Sequence, residues 1–222
     1  MITHQFDAQA RNMVETQLRR RGIRDERVLG AMLKIPRHEF VPADLMDAAY
    51  ADRPLPIGEH ETISQPYIVA AITEAAHVTP GNKVLEIGGG SGYQAAILAQ
   101  LGTTVWSVEI NPRLAAEARV RLERLGYGNI QVIAGDGSEG LAAHAPYEVI
   151  IVSAGTPSVS PLLLGQLADG GRLVAPVGNM RQQELLLLYQ HGGQITTRRL
   201  DLCQFVPLVG KGGWPAKSPG LS

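Results

Sequence analysis

The residues that could do chemistry stand in one ordered series. Val84-Leu85-Glu86-Ile87 is a short apolar run that ends in Gly88-Gly89-Gly90-Ser91-Gly92. Glycines at the end of a strand let the backbone turn sharply and approach a ligand with no Cβ in the way. Glu109 closes the next apolar run, Val105-Trp106-Ser107-Val108, about 20 residues on, where an acid can accept hydrogen bonds from ribose hydroxyls. Asp136 follows a third run, Ile130 to Ile133, within Gly135-Asp136-Gly137. There it can accept from an adenine amino group while the Gly137 N–H donates to the ring. Taken alone, Asp-Gly is better explained as a β-turn. Behind the other two elements, in order, it reads as part of a nucleoside site.

Spacing decides which nucleoside ligand. A dinucleotide fingerprint needs glycine or alanine three residues after its second glycine. Counting from Gly88 and Gly90, that position is Tyr93; one residue later, Ser91 stands where the second glycine should be. The glycines fall instead at Gly88, Gly90 and Gly92, behind Glu86. This is the pattern of class I methyltransferases, in which the acid can face the ammonium of the methionine part of S-adenosyl-L-methionine.

The elements that must hold these residues follow from periodicity. Five apolar runs, at 84–87, 105–108, 130–133, 149–152 and 172–177, alternate with helical stretches such as Tyr93 to Leu101 and the segment from Pro112 to Leu125. Strand and helix in alternation predict an α/β fold, a doubly wound, mostly parallel sheet covered on both faces. After Gly178, Glu184 to Tyr189, Gln194 to Leu200 and Leu202 to Leu208 predict three strands forming an antiparallel C-terminal edge. Residues 7–35 carry apolar positions at helical spacing, broken at Gly22 and ended by Pro36. Residues 36–66, rich in proline, read as an ordered loop segment, and 67–77 as a helix. The expected organisation is N-terminal helices and substrate-side loops over 1–79, packed on the carboxyl edge of a cofactor-binding core over 80–209, with an extended or mobile tail over 210–222.

Composition narrows the classes. The 222 residues suit one sizeable α/β domain, with 45% hydrophobic and 18% charged residues. A formal net charge of −1 supplies no footprint for nucleic acid, so none is expected as partner. The basic cluster at Arg19, Arg20, Arg21 and Arg24 reads as a solvated helix end. Cys203 is the only cysteine, which excludes an intrachain disulfide and predicts a buried structural thiol. The six histidines have no metal-ligand spacing, and no metal site is expected. The N-terminal segment has no signal-peptide core and no apolar stretch reaches membrane-span length, so a cytoplasmic, non-membrane protein is expected.

A more specific resemblance comes from the segment Leu55-Pro56-Ile57-Gly58-Glu59-His60-Glu61-Thr62-Ile63-Ser64-Gln65-Pro66. It resembles the signature of the protein-L-isoaspartate O-methyltransferases, with its Thr62-Ile63-Ser64-Gln65-Pro66 centre. The glycine loop, Gly135-Asp136-Gly137, Ala145 to Ser153, Leu167 to Gly178 and Phe205-Val206-Pro207-Leu208 are similar to that family's blocks and occur in its order from about residue 10 to 214. Departures stand at Gly89, Ser138, Leu141 and the stretch Ser153 to Pro157. The resemblance implies methyl transfer from S-adenosyl-L-methionine to the α-carboxylate of L-isoaspartyl residues in damaged proteins or peptides. It implies Ser64 as the group that orients the carboxylate, Ile63, Gln65 and Val206 as substrate wall, and Glu86, Gly88, Gly90, Gly92, Glu109, Asp136 and Gly137 as cofactor contacts. A helix N-cap before Pro66 is the purely structural alternative for Ser64. Two other functions stay open: a carboxylate methyltransferase for a peptide natural product or small molecule, and a non-catalytic cofactor-binding protein. The intact Thr62 to Pro66 block argues against both.

Overall fold

The computed structural model describes residues 2–215. Its centre is a seven-stranded sheet built from β3 (Lys83–Ile87), β4 (Thr104–Glu109), β5 (Ile130–Ala134), β6 (Tyr147–Val152), β7 (Leu167–Gly178), β8 (Gln183–His191) and β9 (Gln194–Cys203), after a small hairpin of β1 (Leu55–Gly58) and β2 (Glu61–Ile63). The order in the large sheet is β5-β4-β3-β6-β7-β8-β9. The first five strands are parallel, and β8 and β9 add antiparallel. The order of connection reverses between the parallel neighbours β3 and β6, with β4 and β5 added on one side and β7 on the other. This opens a crevice at the carboxyl ends of the strands, where such sheets bind ligands.

The central strands are buried on both faces, which is why β3 and β6 read as unbroken apolar runs. Their side chains alternate between two cores. Val84, Val149, Ile151 and Val174 join one with the N-terminal helices, while Leu85, Ile87, Ile150 and Leu173 join the other with Trp106 and Tyr147. The first core also takes in Phe6, Met13, Leu29, Met32 and Phe40, so the N-terminal segment shares its interior with the sheet.

Capping places the helices. In α5 (Pro112–Arg124) the Asn111 side chain accepts from the Arg113 and Leu114 N–H groups, with Pro112 at the first turn. In α2 (Glu26–Lys34) Asp25 accepts from Arg27 N–H. Helix α3 (Pro66–Ala76) also starts on proline, and α4 (Tyr93–Gln100) springs from Gly92. Among the described residues the remaining α-helices are α1 (Ile2–Asn12), which continues as a π-helical turn over Met13–Leu18, and the short α6 (Pro161–Leu164).

Three expectations differ from the structure. The loop segment 36–66 contains the β1–β2 hairpin, whose prolines and glycines hid it. Leu202 to Leu208 is not a separate third strand: β9 runs through Cys203, and the chain then leaves the sheet toward the crevice, Gly155 N–H donating to Val206 O at 2.7 Å. Cys203 is half-buried rather than buried, its thiol held up to about 11 by burial and by Asp201. Of the expected tail, residues 210–215 are described and 216–222 lie outside the described residues. Trp214 N–H turns back to Leu208 O at 2.7 Å, and Lys211 N–H donates to Asp136 Oδ2 at 2.9 Å.

Candidate active site

The glycine loop turns between β3 and α4 at the head of the crevice, with Gly88, Gly90 and Gly92 all at positive φ. Its N–H groups are consumed within the protein. Gly88 and Gly89 donate to Val108 O, Gly90 to Glu109 Oε2 and Gly92 to Gly89 O. A dinucleotide loop aims such groups at a pyrophosphate; this loop has none of these four to offer. What it offers is close approach, since even a Cβ on Gly89 would meet Ser107 Oγ.

Glu86 lies beneath the loop and is fully buried. Its Oε2 accepts from Ser107 Oγ at 2.6 Å, and its Oε1 has no partner among the described residues. Burial, reinforced by the Glu109 charge and opposed by the Ser107 hydrogen bond, raises its carboxyl to about 8. An unpartnered buried acid is costly unless a donor or cation meets it, and a ligand ammonium suits that need. Glu109 is buried at the end of β4, where Oε2 accepts from Gly90 N–H and Oε1 from Asn111 N–H, each at 2.8 Å. A carboxylate oxygen has two lone pairs, so one acceptor position per oxygen is left, enough for two vicinal ribose hydroxyls. Asp136 is exposed and more committed. Its Oδ1 takes both Ser138 N–H and Ser138 Oγ, and its Oδ2 takes Lys211 N–H, which leaves one position on Oδ2. Gly137 packs at the carboxyl end of the sheet, where an added Cβ would sit 3.0 Å from Val108 and 3.2 Å from Ile87. The residues present fit S-adenosyl-L-methionine: acids for an ammonium and a ribose, an acceptor for an amino group, and no phosphate cradle.

Three cavities meet over this loop. A cleft of about 40 Å³ lies between the loop and the β2–α3 segment, touching Glu86, Gly88, Ile63 and Ser64. A second, also about 40 Å³, runs along Glu109, Glu61, Val206 and Leu208. A larger cavity of about 670 Å³ opens beyond them, lined by Ser64, Gln65, Val206, Tyr67 and Met180 among others. Thr62 and Ser153 line all three. Ser64 therefore stands where the loop cleft joins the large cavity. Its Oγ makes no hydrogen bond with a described residue, and the N-cap of α3 is Gln65, without a side-chain cap bond, so the capping alternative for Ser64 is not realised. Of the three residues expected in the substrate wall, Ile63 is buried and lines the loop cleft, and Gln65 and Val206 line the large cavity.

Arg37 escaped the sequence reading. It is fully buried, with Nε donating to Ala49 O at 2.7 Å and Nη2 to Ser64 O at 2.6 Å. Its guanidinium lies 4.7 Å from the centre of the Tyr93 ring, at the start of α4, and Nη1 has no partner among the described residues. One cation thus ties the Ser64 backbone to the helix that carries the glycine loop. The signal available was a lone arginine between Pro36 and the apolar Phe40-Val41-Pro42. Glu61 was also missed; burial and the nearby Glu109 raise its carboxyl above the ordinary range. Among the described residues no group of three or more His, Cys, Asp or Glu could hold a metal ion, and no helix is long and apolar enough to cross a membrane.

Comparison with known proteins gives a consistent result. The sequence profile described as Protein-L-isoaspartate(D-aspartate) O-methyltransferase matches residues 8–213. The protein-L-isoaspartate O-methyltransferase of Koribacter versatilis is 55% identical over 206 residues, covering 92% of this chain and 93% of that one. The one from Methanoculleus marisnigri is 54% identical over 202 residues, covering 91% and 92%. Among solved structures, a protein-L-isoaspartate O-methyltransferase superposes with a TM-score of 0.82 at 31% identity, over 91% of this chain and 66% of that one. A Plasmodium falciparum protein solved with S-adenosyl-L-homocysteine shares the fold, with a TM-score of 0.79 at 24% identity over 90% of this chain and 98% of that one. With the crevice, the glycine loop and the Thr62 to Pro66 segment in these positions, the chain belongs to the protein-L-isoaspartate O-methyltransferase family.

Proposed function

We propose that this chain methylates the α-carboxylate of L-isoaspartyl residues in damaged proteins and peptides, using S-adenosyl-L-methionine. The observation that carries the reading is Ser64, whose Oγ is free of intramolecular bonds at the junction of the loop cleft and the large cavity. The cofactor supplies a methyl group on a sulfonium cation, which loses its charge as the methyl moves. Around it, Glu86 would meet the methionine ammonium, Glu109 the ribose, and Asp136 with Gly137 N–H the adenine, while Gly88, Gly90 and Gly92 let the ligand come close.

A carboxylate with a pKa of about 4 is already ionised at neutral pH, so no general base is required. The chain's work is alignment and exclusion of water. Ser64 Oγ donates to one carboxylate oxygen and leaves the other to face the methyl. Gln65 and Val206 hold the substrate from the large cavity, and Ile63 backs the loop side. The methyl ester formed closes spontaneously to a succinimide, which opens in part to normal aspartate. Residues 1–79 act as the substrate-side layer, 80–209 as the cofactor-binding core and 210–222 as a tail. The reading places the protein in the cytoplasm, and a single cysteine suits that reducing compartment.

Paired peptides of identical sequence, one with L-isoaspartate and one with L-aspartate, test this with labelled cofactor. Label should enter the isoaspartyl peptide alone and be lost as methanol when the ester cyclises. Ser64→Ala should lower turnover while leaving S-adenosylhomocysteine affinity nearly unchanged. Equal labelling of both peptides, or none, would remove the assignment.

A further inference from the structure

A second, larger groove adjoins the Ser64 cavity. It has a volume of about 850 Å³ and lies between the turn at Arg21 to Ile23, helix α3 and the face of β7 to β9. Arg21, Tyr67 and Asp201 line both spaces. These three form the sill between them: the Arg21 guanidinium lies 3.4 Å from the centre of the Tyr67 ring, and Tyr67 OH donates to Asp201 Oδ2 at 3.2 Å. A polypeptide leaving the first space over this sill enters the second.

Strand register decides what the groove presents. Arg172 pairs with Tyr189, Tyr189 with Thr196 and Leu187 with Arg198. Directly paired residues share a face, so Arg172, Leu187, Tyr189 and Arg198 all look into the groove. Leu185, Leu187 and Ala71 give it an apolar floor. Arg172 lies 5.3 Å from the Tyr189 ring centre, and neither Arg172 nor Arg198 forms an ion pair with a described residue. The groove's two carboxylates are already engaged. Glu74 Oε1 accepts the Arg24 and Asp25 N–H groups, both at 2.7 Å, and Asp201 takes the Tyr67 hydroxyl. Those donors are neutral and leave both carboxylates charged, but they hold them in place. The guanidinium groups of Arg172 and Arg198, by contrast, have no hydrogen-bond or ion-pair partner among the described residues and are left to meet a ligand anion.

We infer that this groove docks the polypeptide flanking the isoaspartyl residue and selects an acidic side chain there. The inference rests on the proposed function and adds a sequence preference to it. Arg198 stands three residues along β9 from Asp201, about 10 Å at roughly 3.3 Å per residue, so the acid is expected three or more residues from the isoaspartate. Basic residues on an edge strand also deter pairing with other chains; that role alone would produce no dependence on peptide charge.

The test uses the full-length enzyme and isoaspartyl peptides that differ only three to five residues from the isoaspartate, on either side, carrying Glu, Gln or Lys. KM should rise in that order on one side of the isoaspartate, with about a three- to tenfold span at low salt, as expected for one or two partly exposed ion pairs. The span should shrink as salt is raised, and kcat should stay constant. In the Arg172→Gln, Arg198→Gln double variant the KM ratio between acidic and basic peptides should collapse to about one. Equal KM values for all peptides, with normal methylation, would overturn the groove and leave the proposed function standing. An unchanged ratio in the double variant would also overturn it. Failure to methylate any isoaspartyl peptide would overturn both.

Discussion

Replacing Glu86 by Gln tests the electrostatics of the cofactor cleft. The Glu86 carboxyl is fully buried, bonded once to Ser107 and otherwise unpartnered among the described residues, and burial lifts it from an ordinary 4.5 to about 8. Between those values the folded chain holds a proton that the unfolded chain has released. The raised acid therefore leaves stability intact below pH 4.5 and erodes it as pH climbs toward about 8, after which the loss is complete. At 1.36 kcal/mol per pH unit the loss reaches at most about 5 kcal/mol. A glutamine of the same shape carries no such charge, so Glu86→Gln should be the more stable protein at pH 8 and close to wild type at pH 5, read from urea midpoints.

Binding runs the other way. An ammonium placed against Oε1 favours the ionised acid, so ligand binding at pH 7 should release close to one proton. Affinity should then rise by up to tenfold per pH unit below about 8. Calorimetry with S-adenosylhomocysteine in two buffers of different ionisation heat counts that proton directly. The Gln variant should bind more weakly and release none. Identical heats in both buffers, together with equal affinity in Glu86→Gln, would refute the placement of the ammonium.

The other two expectations concern Arg37 and Glu109. Arg37→Met removes two charged hydrogen bonds but also an uncompensated buried cation, so denaturant midpoints should report a loss of about 2–4 kcal/mol. If Arg37 works by fixing Ser64, its effect on kcat/KM should be less than multiplicative with Ser64→Ala, and full additivity would show that it is structural only. Glu109→Ala should weaken S-adenosylhomocysteine by about 1–3 kcal/mol in calorimetry; unchanged affinity would place the ribose elsewhere.

What the sequence disclosed was what depends on near neighbours. The inner strands β3, β4 and β6 were legible because burial on both faces leaves unbroken apolar runs. The partly buried edge strand β5 showed through its β-branched Ile130, Val132 and Ile133, and Glu109 was legible because it ends β4. The β1–β2 hairpin was not, because Pro54, Pro56 and Gly58 mimic a loop when no pairing partner is known. Arg37 was invisible for a related reason. Its partners are two backbone carbonyls and an aromatic face, and no residue type announces a carbonyl as a partner. Asp136 was read for one role, yet it also anchors a backbone N–H 75 residues away, a contact created only by the chain's return from β9 to the crevice.

These pieces together explain how charge is arranged for a reaction that consumes it. Glu86, Glu61 and Glu109 surround the clefts on the cofactor side, where a cation is to be held. Arg172 and Arg198, without ion-pair partners among the described residues, line the groove on the other side, where an acidic side chain of the polypeptide is inferred to lie. Methyl transfer from a sulfonium to a carboxylate annihilates both charges. A full charge placed against either reacting atom would stabilise the reactants more than the transition state and slow the step. The residues common to all three cavities are Thr62 and Ser153, which are uncharged, and Ser64 beside them is a neutral donor. On the proposed placement, the charged walls would gather the two substrates from a distance, while the meeting point itself is neutral. The lone buried guanidinium nearby, Arg37, faces the Ser64 backbone carbonyl rather than its hydroxyl, so it fixes the geometry without offering the carboxylate an ion pair.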